Sequence, residues 1–124
     1  MSFKTPIGRV RGLGSAKEGT HHWWSQRVTA VALVPLTLWF VFAMASLAGA
    51  DHATATAWLG DPRNAILSIL LVIATFHHVH LGVQVVIEDY IHAEGLKIVT
   101  LMAVKLASVA MAVAALFAIL KVAL

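Results

Sequence analysis

The residues best equipped for chemistry crowd into FHHVHLGVQVVIEDYIH, residues 76–92, where His77, His78 and His80 fall within one turn of an apolar run. Glu88, Asp89, Tyr90 and His92 close the same stretch. An imidazole can ligate a metal, carry a proton near neutral pH or hydrogen-bond across a helix interface, so the spacing has to discriminate among these. At 3.6 residues per turn, His78, Gly82, Val85 and Asp89 share one helical face, and His77, His80, Gln84 and Glu88 share another. An ionisable ring deep in an apolar segment is costly unless it has a partner, which makes His78 a functional candidate. Haem ligation is the leading chemistry: a neutral imidazole nitrogen binds haem iron, and Gly82 one turn on leaves room for a flat macrocycle. The plainer alternative is hydrogen bonding between packed helices, with Gly82 an ordinary small packing residue. Metal transport fits less well, because the carboxylates lie at the end of the stretch and complete no ligand set around the histidines.

A second cluster, THHWWSQR at residues 20–27, joins two histidines and two indoles to Arg27. Its plain reading is an aromatic belt with a basic anchor at a membrane surface. Its sharper reading is a pocket in which Arg27, Asp89 and Tyr90 approach one another at one level, walled by Trp23 and Trp24. There the Tyr90 phenol would donate to a carbonyl oxygen, and a quinone combines the required ring and carbonyl groups.

The elements that must position these groups follow from hydropathy. The chain has 124 residues, 60% of them hydrophobic and 12% charged, with a mean hydropathy of +0.84; this is the composition of a membrane protein rather than of a soluble domain. Three segments have the length and apolarity to cross a hydrocarbon core of about 30 Å. The expected organisation is all-α: a short polar headpiece at 1–27, a first transmembrane helix at 28–50, a second at 63–92 that includes its cytoplasmic end, and a third at 97–123. Pro35 inside the first span can be accommodated by a local kink or a neighbouring helix. Gly95 reads as a helix stop after the second span, and Lys105 interrupts the third, where its stem can snorkel or its ammonium find a partner.

Five of the nine Lys and Arg residues lie in the headpiece, so the N-terminus is expected in the cytoplasm and, with three spans, the C-terminus in the periplasm. The same asymmetry accounts for the basic balance without nucleic acid. No apolar h-region precedes Val28, which argues against a cleavable secretory signal. With no cysteine, the chain holds no disulfide and ligates no iron–sulfur cluster.

HVHLGVQVVIEDYIH, residues 78–92, resembles the second-helix motif of the hydrophobic membrane anchor of succinate:quinone oxidoreductase, also called succinate dehydrogenase or respiratory complex II. GTHHWWSQRVTA, residues 19–30, resembles that family's headpiece. The resemblance covers nearly the whole chain, and it implies haem b bound by His78, ubiquinone hydrogen-bonded by Tyr90, and Asp89 bordering the quinone pocket. It likewise implies that His21 and Arg27 lie near quinone and a haem propionate. The expected partners are a second membrane anchor that supplies the other haem ligand, an iron–sulfur protein and a flavoprotein. FAD and the iron–sulfur clusters are then confined to those partners, and the whole assembly stands at a bacterial inner membrane. The chain would be non-catalytic alone.

The histidines themselves imply a partner for the haem. The other two expected spans contain none, so a second imidazole on the far face of the same haem has to come from another polypeptide. Two alternatives stay open at this point: a b-type cytochrome component of a different quinone oxidoreductase, and a small membrane transporter.

Overall fold

The structure is a computed structural model and describes residues 5–10 and 19–124. Residues 1–4 and 11–18, which belong to the expected headpiece, lie outside the described residues. Among the described residues the fold is entirely helical: α1 (Pro6–Val10), α2 (Gly19–Ser46), α3 (His52–Gly60), α4 (Pro62–Tyr90) and α5 (Glu94–Ala123). Three of these, α2, α4 and α5, have the length and apolarity of membrane spans.

Helix α2 begins at Gly19 and runs unbroken through Pro35, so the second polar cluster is helical and continuous with the first span. Beyond Ser46 the chain turns through Gly49, whose φ of +82° is a left-handed conformation that a side chain would strain. The connector between the first two spans contains the nine-residue helix α3. Its start is fixed by Asp51, whose carboxylate accepts from the Thr54 backbone N–H at 2.9 Å. Asp61 repeats the device one element later, accepting from the Arg63 N–H at 2.9 Å while Pro62 opens α4, where a missing donor costs nothing. The second span ends without glycine: α4 stops at Tyr90 with Ile91 extended, and Gly95 lies inside the first turn of α5 rather than marking a stop.

Helix α4 is the centre of the molecule. It packs on α2 along one side and α5 along the other, and those two flanking helices do not approach within 8 Å at Cα. The buried residues follow that arrangement. Ala65, Ser68, Ala74, Leu81 and Ile87 belong to α4, Ser108 to α5 and none to α2. Small residues at these seams let helix backbones approach closely where hydrophobicity alone gives no drive between helices. The outer faces of α2 and α5 are left apolar and uncovered, as suits lipid or another membrane protein.

Candidate functional site

The two stripes of α4 face different neighbours. His78 meets α2: its Nδ1 lies 2.9 Å from the Thr29 hydroxyl oxygen. That hydroxyl has a single hydrogen, donated back along α2 to the Ser25 carbonyl at 2.8 Å, with the Gln26 carbonyl at 3.1 Å. With that hydrogen so placed, the oxygen accepts from His78 in the tautomer that carries its hydrogen on Nδ1 and a lone pair on Nε2. Beside it, Ala30, Leu33, Val34, Thr37 and Leu38 of α2 line an open groove of about 430 Å³ with His78 as its one imidazole.

That arrangement fits haem iron. An imidazole held through one nitrogen and free at the other is how histidine presents itself to a metal, the second contact fixing ring orientation and tautomer. The groove supplies an apolar wall and is open on the side where a second polypeptide would complete it. Gly82 has Gln26 of α2 beside it: a Cβ built there would meet Gln26 Nε2 at 3.6 Å, ordinary van der Waals contact. It serves the seam between α2 and α4. His77 and His80 turn the other way and line a separate cavity against α5, so the three rings diverge. Among the described residues no group of three or more His, Cys, Asp or Glu side chains converges on one point.

The contacts Thr29–His78 and Gln26–Gly82 fix the antiparallel register of α2 on α4. Counting along that register puts Arg27 opposite Leu81, about 13 Å along the axis from Tyr90 at 1.5 Å per residue. Arg27 and Tyr90 are thus not at one level, as the sequence suggested. The Arg27 guanidinium recovers part of the gap by reaching back one turn to lie 5.6 Å from the centre of the Trp23 ring. His21 falls opposite Ile87, about 4 Å along the axis from Tyr90 and so nearer to it in depth than Arg27. Tyr90 ends α4 at 79% exposure, and Asp89 and His21 are exposed as well. No hydrogen bond or ion pair joins His21, Arg27, Asp89 or Tyr90 to one another among the described residues. Glu88, by contrast, is engaged, accepting from Gln84 at 2.8 Å.

Sequence reasoning missed Thr29 and Gln26, and gave His22 no role of its own. Gln26 Oε1 and His22 Nε2 are buried without a hydrogen-bond partner and stand one turn apart on α2. Positions 22, 26, 30, 33, 34, 37 and 38 share one face of α2, the face that meets α4 and lines the groove, but α2 is apolar all round beyond Arg27 and no periodicity singles that face out.

Comparison with known proteins places these features in one family. The family described as succinate dehydrogenase/fumarate reductase transmembrane subunit matches residues 1–120. A succinate dehydrogenase hydrophobic membrane anchor subunit of Rickettsia bellii is 38% identical over 117 residues, 94% of each chain. That of Paracoccus denitrificans is 39% identical over 90 residues, covering 73% of this chain and 70% of the relative. A membrane anchor subunit of the same enzyme from Reclinomonas americana is 31% identical over 96 residues, 75% of this chain and 80% of the relative. No solved structure matches significantly.

Proposed function

The chain belongs to the family of succinate dehydrogenase/fumarate reductase transmembrane subunits, as a membrane anchor of succinate dehydrogenase, and from that premise we propose that it binds one side of a haem b and builds part of a ubiquinone-reducing site. The observation that carries the reading is the Thr29–His78 hydrogen bond at 2.9 Å, which frees Nε2 of a ring on an apolar groove. His78 would hold the haem iron from this chain, and a histidine of the second membrane anchor would supply the other imidazole. When bound, the haem supplies a one-electron centre within the membrane. Thr29 holds the ring orientation, and Ala30, Val34 and Leu38 keep water from that face.

At the Tyr90 end, the phenol donates a hydrogen bond to a quinone carbonyl without carrying charge at neutral pH. Asp89, one position earlier and open to solvent, holds a proton for the reduced quinone, and His21 at nearly the same depth passes protons from outside. Arg27, on the exposed side of α2, presents its positive charge further along the helix than His21. The FAD of a flavoprotein and the clusters of an iron–sulfur protein would supply the electrons taken from succinate. The chain is not an enzyme alone, and its five headpiece cations orient it in a bacterial inner membrane with the N-terminus cytoplasmic and the C-terminus periplasmic.

The test is the spectrum of the purified complex. His78→Ala should remove the b-type absorbance while His77→Ala and His80→Ala keep it. Thr29→Val, which retains shape and loses the acceptor, should keep the haem but shift its reduction potential, since second contacts to a ligating histidine tune the metal. An unchanged spectrum in His78→Ala, with loss in either neighbour variant, would overturn the assignment.

A further inference from the structure

On the face of α4 opposite the His78 groove, an open cavity of about 360 Å³ runs along the seam with α5. One end holds His77, His80 and Lys105; the other is apolar, with Ile73, Val109 and Ala112 among its walls. The polar end contributes a cation and two imidazoles and no carboxylate. Lys105 makes no hydrogen bond or ion pair with any described residue, and Nδ1 of His80 is buried without a hydrogen-bond partner. A charge on a spanning helix is stable only when it finds an opposite charge or reaches the boundary.

We propose that this seam is a binding site for one anionic phospholipid, its phosphate held by Lys105 with His80 and His77, and one acyl chain laid along Ile73, Val109 and Ala112. The polarity runs the right way for an amphiphile. Lys105 and His80 lie toward the Tyr90 and Glu94 ends of their helices, whereas Ile73 and Ala112 lie toward the membrane interior, so the headgroup end of the cavity is the one nearer a membrane surface. Lys105 stands eleven positions beyond Glu94, about 16 Å along α5 at 1.5 Å per residue, and its four-carbon stem carries the ammonium back toward that surface. Basic pockets between spanning helices are a recurrent way of holding anionic headgroups. The charge selects this occupant over a neutral one: a quinone carbonyl would leave the ammonium uncompensated.

The intact complex, reconstituted in nanodiscs of palmitoyl-oleoyl phosphatidylglycerol or phosphatidylcholine, can be examined by native mass spectrometry. One phosphatidylglycerol per copy of this chain should survive activation that strips phosphatidylcholine. Lys105→Gln should lower that retention about fivefold or more, the effect of one lysine at an anionic surface, and Lys105→Arg should restore it. Ile73→Trp, which fills the apolar half and leaves Lys105 in place, should also expel the lipid, and it decides the matter if Lys105→Gln does not assemble. Equal retention of the two lipids, or phosphatidylglycerol retained in Ile73→Trp, would overturn the site. So would protection of Val109→Cys from a membrane-soluble maleimide in both lipids, which would mean that a partner helix fills the seam; the chain has no other cysteine to confuse the readout.

Discussion

The two ends of the helical array are built differently. At the connector end the chain satisfies itself: Asp51 caps α3, Asp61 caps α4, and Asn64 donates to the Trp58 carbonyl at 2.9 Å. Trp58 stacks on Trp39 of α2 at 5.8 Å between ring centres, so α2, α3 and α4 are tied together there. At the other end Tyr90, Asp89, His21 and Arg27 are exposed, and α5 begins at Glu94 behind Ala93, which supplies no side-chain cap. Among the described residues, the chemistry-bearing groups are thus left exposed at the end opposite the caps. In a membrane anchor of succinate dehydrogenase, that is where the quinone and the water-soluble partners are expected to meet it.

The comparison breaks most sharply at Tyr90. Because the phenol sits at the helix terminus and supports no internal contact, Tyr90→Phe should leave assembly and thermal stability unchanged. Quinone reduction by succinate should fall by about 10²-fold or more, at the scale of removing a positioned donor, while reduction of a soluble artificial acceptor persists. A variant complex that reduces quinone at the normal rate would remove Tyr90 from the site. Trp58 should behave in the opposite sense. Trp58→Ala removes a stacked pair worth about 0.5–1.5 kcal/mol beyond its buried area, so the complex should melt a few degrees lower with quinone turnover per intact complex unchanged. Loss of turnover without loss of stability would show the closed end to be functional.

How far the sequence carried depended on whether a feature is local to one helix. The three spans were legible because about twenty apolar residues in a row have few other uses, and the two faces of α4 because helical period fixes them. Relations between helices were not. That His78 reaches Thr29 and that Gln26 covers Gly82 depend on the register of α2 against α4, and a shift of one turn would give other pairs. The expectation that Arg27 and Tyr90 share a depth failed for this reason: both were placed from the ends of apolar runs, whereas α2 continues nine residues beyond its apolar run toward the N-terminus. Helix α3 was missed because its Ala-Thr composition shows no amphipathic period, although Asp51 three residues before Thr54 was a readable cap. Gly95 misled because glycine was taken as a stop, while α4 ends at Tyr90 and α5 begins one residue before the glycine.

The smallest expected effect concerns the caps of the closed end, and it tests whether that end is held by charge as well as by packing. Thr54 holds the Asp51 carboxyl below its ordinary value of 3.8 by donating to it, and Arg63 does the same for Asp61. Both carboxylates are solvent-exposed, so the effect is screened and local. A carboxyl whose folded value is depressed adds stability that is fully present above its unfolded value and disappears as pH falls through the folded one. At neutral pH the caps are therefore complete; as pH drops below about 4, protonation weakens the acceptors and the first turns of α3 and α4 should fray. Hydrogen exchange after a brief acid pulse should rise at Thr54 and Arg63 while the interior of α4 stays protected. Asp51→Asn keeps an acceptor and removes the titration, so it should abolish the acid-induced rise at Thr54 and leave the rise at Arg63 intact. Equal acid sensitivity at Thr54 with and without that substitution would mean the turn is held by its neighbours, the Trp39–Trp58 stack first among them, and not by the carboxylate.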